Sequence, residues 1–179
     1  SNTFTFGVTP TQANSSNFIF NTENRLTMQD SQVVSEYGIF ICNPSSRTDT
    51  VYKLRTYGNT QTFAAGTDAN ILDTTFFSNG QFGIVANNDI VMPGRSLFNH
   101  WYKAQTQQTG ALAAASPDDQ IRGAEDGMIT MEPNLLLIGS KGYKPTITLP
   151  TALTGLTATF ARAVLILRGV LAQNSTPVT

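Results

Sequence analysis

Val33-Val34-Ser35-Glu36-Tyr37-Gly38-Ile39-Phe40-Ile41-Cys42 is the stretch whose reading decides the fold. It is rich in β-branched and aromatic side chains, which suit a pleated, half-buried surface. Asn43-Pro44-Ser45-Ser46 follows with turn chemistry and ends it. The segment predicts a strand. Cys42 closes its apolar half and reads as a small buried hydrophobe.

The same pattern continues outward. Thr50 to Tyr57 alternates, with Val51, Lys53, Arg55 and Tyr57 on one side and Tyr52, Leu54 and Thr56 on the other. Gly58-Asn59 predicts a turn and Thr60 to Ala64 the returning hairpin strand. Strands are expected at Ala69–Phe77, Gln81–Ala86 and Asp89–Met92, with Asn79-Gly80 and Asn87-Asn88 at positions of positive φ. Pro93-Gly94 predicts a turn, and Arg95 to Lys103 a long strand. Toward the start, Phe18-Ile19-Phe20 is a short strand candidate. Residues 1–17 form a polar arm in which Phe4, Phe6 and Val8 alternate, a pattern able to add a strand to a sheet edge.

The pattern breaks at residues 105–126, which are polar, Ala-rich and Gly-punctuated. Ala111 to Ala115 suits a helical turn, and Ser116-Pro117-Asp118-Asp119 reads as a helix start. This is one long, partly helical insertion, a type of segment that often carries function. Strands resume at Gly127–Met131, Asn134–Ile138 and Pro145–Leu149. In Leu156–Leu171, Phe160, Val164, Leu167 and Leu171 fit helical spacing, while Val164-Leu165-Ile166-Leu167 fits a buried strand with Gly169 at a bulge. Strand is favoured because its surroundings are β. The expected organisation is an arm (1–17), one β-barrel domain (18–172) and a tail (173–179). About nine to eleven short strands with regular turns indicate an all-β sandwich or barrel, most simply a jelly roll of two packed sheets.

Composition narrows the function. The 179 residues include one His, one Cys and 13% charged residues, with a net charge of -1. Thr, Asn, Ser and Gln fill roughly a third of the chain, well above ordinary usage. Lys and Arg are scattered and no basic arm exists, so direct nucleic-acid binding is not expected. A lone cysteine excludes an internal disulfide framework and a cysteine zinc site. The apolar run Ala163–Leu167 ends at Arg168, short of the ~18–20 residues of a membrane helix. No signal-peptide pattern is present, so the sequons at Asn14 and Asn174 read as chance and a non-secreted origin is favoured.

Candidate chemistry is sparse. His100 is the one base suited to neutral pH, but no Gly-x-Ser-x-Gly nucleophile turn accompanies it. It reads as a strand histidine packed beside aromatics. Asp118, Asp119, Glu125, Asp126 and Glu132 suggest calcium, but without EF-hand spacing they read as solvated loop acids. No catalytic residue, metal or cofactor is expected. Phe98, Trp101 and Tyr102 offer a surface for stacking sugars or bases. Alternation sets Trp101 opposite His100, with the larger ring expected inward.

A charge-poor, one-domain β protein with an extendable arm and a large insertion looks like a viral coat subunit, since interface cores disfavour Lys, Glu and Asp. By size, strand plan and composition the chain resembles the small major capsid protein of the membrane-containing icosahedral phages of Thermus, in the lineage of upright single β-barrels. That resemblance implies an eight-stranded jelly roll standing on the shell. It also implies self-association into dimers, a second, larger capsid protein, proximity to an internal membrane and location in the virion. The expected assembly contacts are Phe4, Phe6 and Val8 of the arm, the insertion from Leu112 to Ile121, and sheet-edge residues. The alternative is a receptor-binding tip or carbohydrate-binding sandwich in which Trp101 or Tyr102 contacts sugar.

Overall fold

The computed structural model describes residues 2–6, 28–43, 54–58, 63, 66–102, 127–158 and 161–173. Among them the strands are β1 (Asn2–Thr5), β2 (Ser31–Cys42), β3 (Gln81–Ala86), β4 (Asp89–Ser96), β5 (Met128–Ile138), β6 (Tyr143–Leu149) and β7 (Arg162–Ala172). They form two antiparallel sheets, ordered β1-β6-β3-β4 and β5-β2-β7. A short helix α1 (Gly66–Ile71) widens into a π-helical stretch at Leu72–Phe77, and Leu97–His100 form a 3-10 turn. The protein is all-β with few helical residues. No helix among the described residues is long and apolar enough to cross a membrane.

β2 is the central strand of the second sheet, and its composition shows why. Val34, Tyr37, Ile39 and Ile41 enter the core shared with the first sheet. Phe40 and Cys42 are also buried, on the reverse side. From Tyr37 to Cys42 the strand is buried on both faces, which needs an apolar run rather than strict alternation. β3 meets it from the other sheet, with Phe82, Ile84 and Ala86 buried and Gln81 exposed. Tyr37 stacks on Phe82 with ring centroids 5.6 Å apart, joining the sheets. The helical segment adds Leu72, Phe76 and Phe77 to this core.

Several sequence expectations change. Ala69–Phe77 is helical, not a strand. The β-branched Ile71, Thr74 and Thr75 favour extension locally, but buried Ala69, Leu72 and Phe76 follow helical spacing. Phe63 is helical as well, so the hairpin strand expected over Thr60–Ala64 is not formed there. Of the expected strand Thr50–Tyr57, residues 54–57 show one bridge, in which Ile41 and Arg55 exchange two backbone hydrogen bonds of 2.8 Å. Pro93 and Gly94 make a bulge inside β4, opposite Gly83, instead of a turn. The long strand from Arg95 stops at Ser96, whose Oγ accepts from the Phe98 N–H at 3.2 Å and starts the 3-10 turn.

The segments expected as two strands around residues 127–138 are one strand, β5. Its pairing with β2 is interrupted where Met131–Asn134 face Ser35. The ambiguous last segment is strand β7. The irregularity near Gly169 falls on β2, where Ser35 is the extra residue opposite Arg168 and Gly169. Asn87 has φ 55° in the β3–β4 turn, as expected. Gly80 lacks positive φ; a Cβ there would collide with the Phe76 carbonyl oxygen. Val8, Phe18–Phe20, the insertion 105–126 with Leu112 and Ile121, and residues 174–179 lie outside the described residues.

Two aspartates lock the helical segment in place. Fully buried Asp68 accepts hydrogen bonds from the Thr157 N–H (2.9 Å), the Thr157 hydroxyl (2.8 Å) and the Ala158 N–H (2.8 Å), tying α1 to the β6–β7 connection. Burial pushes its pKa up, but these donors outweigh that and hold the carboxyl below its ordinary value. Asp73 accepts from the Gly58 N–H and from the Trp101 indole N–H. Gly58 must be glycine because a Cβ would run into the Ala69 backbone carbonyl. Gly58→Ala is therefore expected to cost about 1–3 kcal/mol in urea unfolding. Gly142→Ala, where the nearest atom to a Cβ is 3.9 Å away, should be close to neutral. Equal effects at the two positions would contradict this packing.

Candidate functional site: an apolar sheet face and an aromatic ledge

Among the described residues, His100 and Cys42 are packed inside the fold. His100 is 2% exposed and packs edge-on against Tyr37, ring centroids 4.9 Å apart. Its Nδ1 lies 3.5 Å from the Gly127 carbonyl oxygen, which favours the tautomer protonated at Nδ1. Its Nε2 is buried without a hydrogen-bond partner. Burial lowers its pKa from 6.5 to about 4, with the Gly127 carbonyl pulling the other way. The ring is therefore neutral at pH 7 and held away from solvent. Cys42 is fully buried, and desolvation pushes its thiol up to about 11 against the opposing charge of Arg162. Among the described residues no three His, Cys, Asp or Glu side chains gather as a metal site. Asp118, Asp119, Glu125 and Asp126 lie outside these residues. Glu132 lines an open cleft of about 240 Å³ between β4 and the irregular part of β5, together with Arg95 and Asn134.

Of the aromatic group before the insertion, Phe98 and Trp101 come together. Phe98 and Trp101 are stacked, centroids 5.8 Å apart and planes at 14°. Phe98 and Tyr102 are exposed, whereas Trp101 is half-buried and packs against the core. The Trp101 Nε1–H donates to Asp73 Oδ1 at 3.0 Å. Tyr102 is held through its backbone, its carbonyl accepting from the Thr56 hydroxyl at 2.6 Å. The expected order of burial is reversed: His100, not Trp101, is innermost, because the 3-10 turn replaces strand alternation. One face of Trp101 is covered by Phe98, so the outward ring surface belongs to Phe98 and Tyr102.

The arm residues divide. The backbone of β1, including Phe4, pairs with β6 of the same chain, Phe4 opposite Ile147. Phe6 packs edge-on against Phe82, centroids 6.3 Å apart, and its N–H donates to the Pro145 carbonyl. In this structure the arm completes the chain's own first sheet and core.

The face that sequence reasoning missed is the outer side of β5-β2-β7. Register places Val33 opposite Leu136 on one side and Val170 on the other. These three apolar side chains form a row across the sheet, exposed by 50% (Leu136), 38% (Val33) and 72% (Val170). Beside the row Glu36 and Arg168 pair at 3.9 Å, a half-exposed contact of the kind that contributes about 0–1 kcal/mol. The next rungs set Ile166 beside Gly38 and Val164 beside Phe40. Single exposed hydrophobics are ordinary; these three are brought side by side by register. No short motif could have announced it, because its members are distant in sequence and meet only through register.

No family model matches the chain, and no curated protein or solved structure matches it.

The buried imidazole carries a pH dependence. Unfolded His100 takes up a proton near pH 6.5, whereas the folded ring resists until about pH 4. Its contribution is present above pH 6.5 and is lost as pH falls through that window, in total about 3 kcal/mol. Urea unfolding at pH 7 and pH 4.5 should show this loss in the parent and not in His100→Phe. An identical pH slope in both proteins would refute the assignment.

Proposed function

We propose that this chain is a structural coat subunit of jelly-roll type, which associates with copies of itself to build a viral shell and has no active site. The observation that carries the reading is the exposed apolar row Leu136–Val33–Val170 on the second sheet. A face of this kind suits broad, dry contact between subunits. The low charge of the chain and its scattered Lys and Arg agree with shell contacts rather than genome binding. The jelly-roll reading is supported by connectivity. From β4 onward the chain alternates between sheets at each step, and β2 neighbours β7 at the far end of the sequence. Such non-sequential neighbours are characteristic of Greek-key sandwiches. A larger capsid partner, a nearby internal membrane and location in the virion complete the proposal.

A second reading has one observation in its favour. Exposed Phe98 and Tyr102 beside half-buried Trp101 form an aromatic ledge suited to a glycan. That would make the chain a receptor- or carbohydrate-binding sandwich.

Absolute mass by light scattering over a wide concentration range tests the two. Dimers growing toward larger particles are expected for the coat subunit. A strict monomer that binds glycans, with binding lost in Tyr102→Ala, would replace it. Leu136→Lys should weaken association about tenfold or more, since burying a leucine contributes roughly 1.5–3 kcal/mol. Its melting temperature should stay close to that of the parent.

A further inference from the structure

We infer that β7 is the edge by which two copies of this chain join, pairing antiparallel with β7 of the second copy about Leu167. The inference deepens the assembly reading and rests on it for the presence of a second copy.

The two sheets have four edge strands among the described residues, and three are blunted. β1 is only four residues long. β4 carries Pro93 and two register irregularities. β5 carries Pro133 within a stretch that leaves the ladder. Short length, proline and bulges are the devices by which sheet edges avoid unwanted partners. β7 has none of them. It is eleven residues long, contains no proline, and reads Arg-Ala-Val-Leu-Ile-Leu-Arg-Gly-Val-Leu-Ala. Among the described residues it pairs only with β2. Among the described residues β7 is thus the long, proline-free edge, the kind that takes a further strand.

The backbone says which groups are available. Ile41 spends its N–H and C=O on Arg55, on the side of β2 away from β7. Backbone groups alternate sides along a strand, so Phe40 and Gly38 face β7 and bond Val164 and Ile166. The N–H and C=O groups of Leu165 and Leu167 therefore point to the open edge, followed by those of Gly169.

The side chains select a second copy as the partner. Leu167 is the midpoint of Arg162–Ala172, so pairing about it keeps the whole strand in register with itself. On the inner face Leu165 then meets Gly169 and Ala163 meets Leu171, large against small. On the outer face Val164 meets Val170, which extends the row Leu136–Val33–Val170 into the second copy. Arg168 meets Ile166, and Arg162 meets Ala172. Centring on Leu165 would oppose Arg162 to Arg168, and centring on Arg168 would oppose that residue to itself, a like-charge contact that destabilises a ladder. Charge thus disfavours those two registers, and the overlap of the whole strand with its size matches favours the one about Leu167.

The test is the double variant Val164→Cys/Val170→Cys in the full chain, oxidised and run on a non-reducing gel. Within one chain the two sites lie about 20 Å apart along the strand, too far for a disulfide, so any bridge joins two copies. Buried Cys42 stays out of the reaction. A covalent dimer from the double variant, with each single variant monomeric, is the expected result. Cross-linking of Val170→Cys alone overturns the register. A double variant that does not cross-link while light scattering finds dimers overturns the pairing and leaves the assembly reading standing. A cross-linked dimer that never grows larger supports the pairing and counts against the shell. Hydrogen exchange on the unaltered protein reads the same contact independently of either cysteine. Protection of the Leu165, Leu167 and Gly169 amides should rise with protein concentration; fast exchange at every concentration, with dimers present, overturns the pairing.

Discussion

The stack of Tyr37 on Phe82 is the contact on which the rest depends. It joins the centre of one sheet to the centre of the other. Tyr37 also receives the edge of His100, and Phe82 receives the edge of Phe6. Four distant segments of chain therefore meet at two rings. Desolvation raises the Tyr37 pKa, with Arg95 acting weakly against it, as expected for a phenol enclosed between sheets. Aromatic pairs in offset or edge-on geometry add about 0.5–1.5 kcal/mol beyond the area they bury. Here they also set how the two sheets face each other.

Around that centre, polar chemistry is committed to architecture. Asp68 holds the β6–β7 connection, Asp73 holds Gly58 and the Trp101 indole, and His100 fills space beneath Gly127. A buried carboxylate met by three donors is stable because each donor replaces a lost water. What the described residues offer outward is shape: an apolar row across one sheet, an open strand edge, and an aromatic ledge.

Sequence and structure part company where local and tertiary preferences compete. Ile71, Thr74, Thr75, Phe76 and Phe77 all favour extension, and as a peptide the segment reads as a strand. The fold makes it a helix because Leu72, Phe76 and Phe77 can then seal the core from one side while Asp68 reaches Thr157. Neither the helix nor the aspartate's partner, 89 residues away, was legible in the local pattern, which reads as extended. In the same way Arg95 to Lys103 reads as a strand until Ser96 caps a 3-10 turn, which moves His100 inside and Trp101 outward.

The sequence alone determined that this is a charge-poor all-β protein. It also determined that β2 and β3 are strands, and that the ends of β3 and β4 meet at Asn87. Those features follow from the residue's own backbone preference and from the apolar pattern of its neighbours, both of which are local. Only the tertiary structure decided the sheet order, the helix at 66–77, the single strand over 128–138 and the row Leu136–Val33–Val170. Those depend on which strand lies beside which and in what register. One residue of slip would move a side chain from the outer face to the core, and no local stretch of chain specifies that choice.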